Sequence, residues 1–366
     1  MTKKIRIIGA ALVGALWFAL SVWAWLAPAQ EISDAERRPL AQFPELSSQS
    51  VLNGSFMTRF EDYTLDQFPM RDSFRKMKAL FHYHALGQRD NNGIFLHDGY
   101  AAKLEYPLNK PSVDNALSRF QYLYETYLED TGSKVVMAVV PDKSYYLQGQ
   151  GYLTMDYEQL FATVEAGMPY AQVVDLTDSL CLEDYYYTDT HWRQEKLLGA
   201  AGKLSAALEI TPPRQEDFTV TQVPKDFYGV YYGQAALPMD AEPMYILKSP
   251  LLEGCTVINH ENGKASKVYD MSKLGSKELY DVYLSGPVSL LEIQNPAAKT
   301  DRELIVFRDS FGSSMVPLLV QDYKTVTLVD IRYISGTILN RFIDFHGQDV
   351  LFLYSTLVLN NSGTFK

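Results

Sequence analysis

Cysteine is scarce in this chain: two in 366 residues, Cys181 and Cys255. They stand far apart and form no C-x-x-C pair, which argues against a thiolate zinc site. Whether they pair with each other stays open at the level of sequence. Basic residues are in the minority, 33 Lys and Arg against 44 Asp and Glu, for a net charge of −11. A balance of that sign argues against a nucleic-acid partner, which needs a basic surface to release phosphate counterions. It argues equally against broad adsorption to anionic lipid. No glycine-rich phosphate loop, dinucleotide fingerprint or H-E-x-x-H is present, so no cofactor and no metal is expected. There is no internal repeat and no low-complexity tract. What the chain does hold is 47% hydrophobic residues, enough to exclude disorder as its main state.

The first thirty residues stand apart. Lys3, Lys4 and Arg6 precede an uncharged run from Ile7 to Gln30 that contains Trp17, Trp23 and Trp25. About 20 apolar residues suffice to cross a bilayer. The basic flank stays cytoplasmic, which leaves the bulk of the chain on the outer face, and Trp23 and Trp25 fall where an interfacial belt is expected. Ala27-Pro28-Ala29 resembles a signal-peptidase site. The run exceeds the usual signal core of about 7–15 residues, which favours a retained anchor over residues 1–30. The expected location is therefore the cell membrane, single-pass, with a secreted form if the segment is cleaved.

Residues 31–92 read as a polar linker followed by helices near 56–65 and 72–86. From Gly93 to the C-terminus the pattern is α/β. A short strand at 93–96 ends in the His97-Asp98-Gly99 turn. Leu117, Phe120, Tyr124 and Tyr127 have helical spacing, and Lys134–Val140 is an unbroken apolar run typical of a buried parallel strand. A helix near 156–167, a strand at 172–176 and a helix over 192–208 continue the alternation, which predicts a parallel sheet. Residues from about 212 to 300, rich in Pro, Gly and Tyr, read as a β-rich insertion presenting a substrate face, with β-like stretches at 244–247 and 279–284. Strands at 303–307, 325–329 and 350–354 then alternate with helices from 312 and near 336–345.

Two short segments carry chemistry. Asp189-Thr190-His191-Trp192 puts a carboxylate two residues from an imidazole, as a serine-dependent acyl transfer requires. Far downstream, the apolar strand Glu303–Phe307 runs into Arg308-Asp309-Ser310-Phe311-Gly312, a strand-turn-helix setting that can expose a nucleophile beside backbone N–H donors. Arg-Asp-Ser-Phe also occurs at 71–74, where it opens a helical run and reads as an N-cap through Asp72 or Ser73. On spacing alone Ser310 can equally cap its own helix, and Asp189 with Thr190 can cap the helix expected over 192–208. Lys143 ends a strand at the sheet edge where α/β folds bind ligands; a plain surface lysine is the other reading. Trp192 either packs beneath the site or stacks on a sugar. Tyr187, from the Tyr185-Tyr186-Tyr187 run, is a candidate lining of a glycan groove; ordinary core and rim is the other reading of such a run.

These segments together resemble the DHHW and AlgX/AlgJ-like proteins, a circularly permuted branch of the SGNH hydrolase superfamily. Asp66-Gln67-Phe68-Pro69-Met70-Arg71 is similar to that family's N-terminal block, Pro141-Asp142-Lys143 to its P-x-K strand end, and Asp226-Phe227-Tyr228-Gly229 to its middle block. The resemblance spans roughly residues 34 to 320. It implies an SGNH-like (flavodoxin-like, permuted) parallel sheet, with Asp189 orienting His191, His191 as base and Ser310 as nucleophile. Gly312, Lys143 and Arg308 would support the oxyanion, and Asn360 is the candidate for a C-terminal oxyanion Asn. The implied activity is a serine-dependent O-acetyltransferase or esterase on envelope or exopolysaccharide carbohydrate, with a membrane-bound O-acyltransferase as possible partner. Arg308 in place of the family's Gly and Thr190 in place of its first His are departures. They motivate an alternative: a catalytically weak glycan-binding or scaffold component of a polysaccharide-modifying complex.

Overall fold

The computed structural model describes residues 3–33 and 35–366; Met1, Thr2 and Asp34, which the expected anchor and linker include, lie outside the described residues. The chain divides into two units, Met1–Asn92 with Tyr232–Pro238, and Gly93–Tyr231 with Met239–Lys366.

In the first unit, α1 (Lys3–Leu26) is long and apolar enough to cross a membrane or to serve as a signal sequence, and it buries none of its residues. After a short helix at Ser48–Leu52 come α2 (Ser55–Asp66) and α3 (Arg71–Leu80), the latter continuing through a wide turn over Phe81–Ala85. The expected cap at 71–74 is not made. Met70 holds the N-cap position without a side-chain bond, and Asp72 lies in the first turn, 3.7 Å from both Arg71 and Arg75.

The second unit is built on one eight-stranded sheet. Its strands in chain order are β1 (Val135–Val140), β2 (Gln172–Val174), β3 (Thr256–Asn259), β4 (Lys264–Ser266), β5 (Leu290–Gln294), β6 (Glu303–Arg308), β7 (Thr325–Val329) and β8 (Asp349–Ser355). Across the sheet they run β4-β3-β5-β7-β6-β8-β1-β2. The five from β7 to β2 are parallel, and β5, β3 and β4 extend them antiparallel. Alternation decides the packing, because successive side chains of a strand face opposite sides. Val136, Ala138, Val306, Leu351 and Leu353 face the helix Leu198–Leu208 and the segment Val316–Asp322. Met137, Val139, Phe307 and Phe352 face the helices Lys110–Leu123 and Tyr157–Gly167. With both faces covered, each central side chain is worth about 1.5–3 kcal/mol of burial. That is why these strands read as unbroken apolar runs.

The insertion is β-rich: its strands β3, β4 and β5 join the main sheet as the antiparallel half, and Thr219–Gln222 pairs with Tyr245–Lys248 in a two-stranded sheet of its own. Two expectations need correction. Leu279–Val282 is a 3₁₀ turn and not a strand. The helix expected from 192 starts only at Leu198. Before it, Trp192 pairs with Tyr185 in an isolated antiparallel bridge, and Gln194–Lys196 forms a single 3₁₀ turn. Cys181 and Cys255 are both free thiols, Cys181 exposed and Cys255 buried.

Candidate active site

The serine turn sits at the carboxyl end of β6, which runs between β7 and β8 in the parallel half of the sheet. Asp309 shapes it: one carboxylate oxygen accepts the Phe311 N–H at 3.0 Å and the other the Ser355 N–H at 2.8 Å, tying the turn to the end of β8. Gly312 is needed for space, since a Cβ there would stand 2.8 Å from the Arg308 Cβ. The Gly312 N–H donates to the Asp309 carbonyl and the Ser313 N–H to the Ser310 carbonyl. The Gly312 amide, expected to support the oxyanion, is thus engaged within the turn. Among the described residues, Ser310 holds the only amide from 309 to 313 without a protein acceptor. The helix that follows is a single turn, Gly312–Met315, continuing as 3₁₀ through Pro317, which has no N–H to give.

His191 reaches this turn from the other loop. Its Nε2 lies 2.7 Å from Ser310 Oγ and its Nδ1 lies 2.5 Å from Asp189 Oδ1. The same Asp189 oxygen accepts the His191 N–H, and Oδ2 accepts the Val230 N–H at 2.8 Å. Because the helix begins at Leu198, Asp189 and Thr190 do not cap it. Tyr280 stacks on the imidazole, centroids 3.8 Å apart and planes within 7°, while its hydroxyl shares a hydrogen bond with Ser314. The ring is thus held at both nitrogens and on one face.

The Asp189 segment is clamped from both sides. Glu242 accepts the N–H groups of Tyr187 and Thr188 and the Thr188 hydroxyl, all at 2.7–2.8 Å. From the opposite side the buried Lys143 donates to the Tyr186 carbonyl at 2.9 Å. Burial pulls the Lys143 pKa down to about 7 against the attraction of Asp189 and Glu242. Burial likewise raises that of Glu242, against its bonds from Thr188 and the charge of Lys143. Desolvation dominates both groups, so each is poised toward its neutral form. Lys143 is not a surface lysine.

The remaining expected residues divide. Arg308 is buried under the turn, Nη1 reaching Ser313 Oγ at 3.2 Å, and burial lowers its pKa against the pull of Asp330. Trp192 is fully buried, its Nε1 donating to Ser314 Oγ at 2.9 Å, so it packs beneath the site and has no face for a sugar. Of the tyrosine run only Tyr187 reaches solvent, stacked on Tyr100 at 4.2 Å. Asn360 is committed elsewhere: its amide donates to Glu105 and its oxygen accepts the Asn109 N–H at 2.6 Å. The structure thus brings Ser310, His191 and Asp189 together and leaves Asn360 holding a loop. Glu242 and Tyr280 carried no signal, because nothing in a lone Glu beside Pro243 or in Leu279–Leu284 marks a partner of the histidine loop. No cluster of metal-ligating side chains occurs among the described residues.

A mostly parallel sheet with a Ser–His–Asp chain of hydrogen bonds at its carboxyl edge has the SGNH-like fold. Residues 161–329, which contain all three of those side chains, match the family model described as DHHW protein, and the motif resemblance holds there. Among solved structures, a DHHW family protein from Eubacterium siraeum aligns at TM-score 0.60 with 19% identity, over 75% of this chain and 95% of that one. The structure of Bacillus cereus PatB1 with a sulfonyl adduct aligns at TM-score 0.58 with 16% identity, over 73% and 95%. A looser likeness, TM-score 0.45 with 14% identity over 73% and 92%, is to the O-acetyltransferase domain of Pseudomonas putida AlgJ. At these identities the likeness is one of fold. No curated protein sequence matches the chain.

Proposed function

We propose that this protein is a membrane-anchored, extracytoplasmic acyl-transfer enzyme that moves an acetyl group to or from hydroxyls of envelope or secreted carbohydrate. The observation that carries the reading is the continuous chain from Asp189 through His191 to Ser310, at 2.5 and 2.7 Å. Ser310 Oγ attacks the donor carbonyl while its proton passes to His191 Nε2. Asp189 fixes the tautomer and stabilises the imidazolium that forms. The carbonyl oxygen takes the negative charge, and the open Ser310 amide is the donor nearest to it in sequence. When the tetrahedral adduct collapses, the leaving alcohol departs with the proton from Nε2. A sugar hydroxyl or water then repeats the sequence on the acyl-serine, giving an acetylated acceptor or acetate. A multi-pass membrane O-acyltransferase is the proposed source of acetyl groups.

The test uses the purified full chain with a sulfonyl fluoride, the reagent class suggested by the PatB1 adduct, and with an activated acetyl ester. Wild type is expected to take up one sulfonyl group and to turn over the ester. In Ser310→Ala labelling disappears, and turnover falls by about 10³-fold or more. A wild-type protein inert to both reagents overturns the reading. It favours the alternative, a catalytically weak glycan-binding or scaffold component, in which one open amide is too little support for an oxyanion.

A further inference from the structure

Helix α2 packs Phe56, Phe60 and Tyr63 around Phe43, but α3 is short of anything to cover its apolar side. Among the residues of α1, α2 and α3 only Ala79 is buried. Met70, Phe74, Met77 and Phe81 recur at three- and four-residue spacing along α3 and its extension, and all four are exposed, Met77 by 59%. Between them stand Lys76 and Lys78, together with Arg71 and Arg75, which pair with Glu36, and Asp72 is the only acid of the helix. A basic amphipathic helix with an uncovered apolar face has the composition of one that lies in a membrane interface.

Two observations say what covers that face. The corner between α2 and α3 is tied to the chain just past α1: the Gln30 N–H donates to Gln67 Oε1 at 2.8 Å, and Gln67 Nε2 returns a bond to the Gln30 carbonyl at 2.9 Å. A groove of about 880 Å³ then runs between the helices, its apolar side lined by Trp17 of α1 together with Phe68, Phe74, Met77 and Phe81, and its polar side by the ion-paired Glu36, Arg71 and Arg75. Trp17 lies nine residues before the end of α1, roughly 13 Å along the helix axis. That depth is within the outer half of a hydrocarbon core about 30 Å thick. Whatever surrounds α1 in a bilayer therefore also surrounds the mouth of this groove.

We infer that α3 rests in the outer membrane interface with acyl chains of the outer leaflet filling the groove against α1, and Lys76 and Lys78 at headgroup level. The inference rests on α1 being retained and spanning the membrane. It would hold the enzyme close to the bilayer on two apolar supports, so that a donor delivered through the membrane need not diffuse far.

The experiment places single cysteines in a Cys181→Ser background of the full chain, reconstituted in vesicles of phosphatidylethanolamine and phosphatidylglycerol. Met77→Cys and Leu16→Cys are labelled with an environment-sensitive fluorophore. Lipids spin-labelled near the headgroup are expected to quench the Met77 probe several-fold more strongly than aqueous iodide does. Lipids spin-labelled deep in the acyl chain are expected to quench the Leu16 probe. A Met77 probe as open to iodide as one at Asp156→Cys, or shielded from iodide and lipid alike as by a protein partner, overturns the inference. A Leu16 probe that no lipid quencher reaches overturns it by removing the anchor itself, and that result is distinct from failure of the acyl-transfer chemistry.

Discussion

Gly229 has no side chain because Asp189 occupies the space one would fill: a Cβ there would come within 2.3 Å of the Asp189 Cα. Its neighbour Val230 donates to the second oxygen of the same carboxylate. Gly229→Ala is therefore expected to lower stability by about 1–3 kcal/mol through overpacking, with serine labelling lost beyond what that change explains. Denaturant midpoints and sulfonyl uptake, measured on one preparation, check both parts. Asp189→Asn keeps the shape and removes the charge that fixes the imidazole tautomer. Turnover should drop about 10⁴-fold with the circular dichroism unchanged; a loss under tenfold would show that His191 does not depend on this partner. Lys143 gives a pH prediction. Its folded pKa, about 7, lies below the value of 10.5 that it has when unfolded, so the unfolded chain binds more protons between those limits. The lysine thus weakens the fold below pH 7, and that loss is relieved as pH rises toward 10.5. The stability of wild type relative to Lys143→Met should climb across that window, and a flat difference would place the ammonium in solvent.

At the scale of elements, the central strands bear the fold. Leu351, fully buried in β8 between β6 and β1, should cost about 2–5 kcal/mol when cut to Ala, read from urea midpoints. Strands such as Val135–Val140 and Leu304–Phe307 were legible because burial on both faces forces a continuous apolar run. The site loops were legible in part: on spacing alone Asp189 and Ser310 could each have been a helix cap, and it was their occurrence together with His191 and the family-like blocks that marked them. Other parts were not. The pairing of β5 with β7 depends on distant partners, from Gln294 with Thr325 to Leu290 with Val329, that no local pattern encodes. Leu279–Val282 is as apolar as a strand, yet it turns to lay Tyr280 on the His191 ring. Trp192 continues the apolar spacing of the following helix but is drawn into a bridge with Tyr185 instead. Tertiary contacts decided each of these, and a window of neighbouring residues does not contain them.

For the whole molecule, the N-terminal helix and the proposed outward placement of the remainder make a separate prediction. The intact chain should stay with the membrane fraction through an alkaline carbonate wash, and protease added outside spheroplasts should digest everything beyond Gln30. Release into the supernatant at full activity would instead mark α1 as a removable signal.

The decisive measurement is acetyl transfer followed by peptide mass spectrometry. With an activated acetyl ester, the peptide carrying Ser310 should gain the mass of one acetyl group, lose it when a carbohydrate acceptor is added, and never gain it in His191→Ala at the same pH. Acetyl found only on lysines, or none on the wild-type serine peptide under any condition, would contradict the acyl-transfer reading.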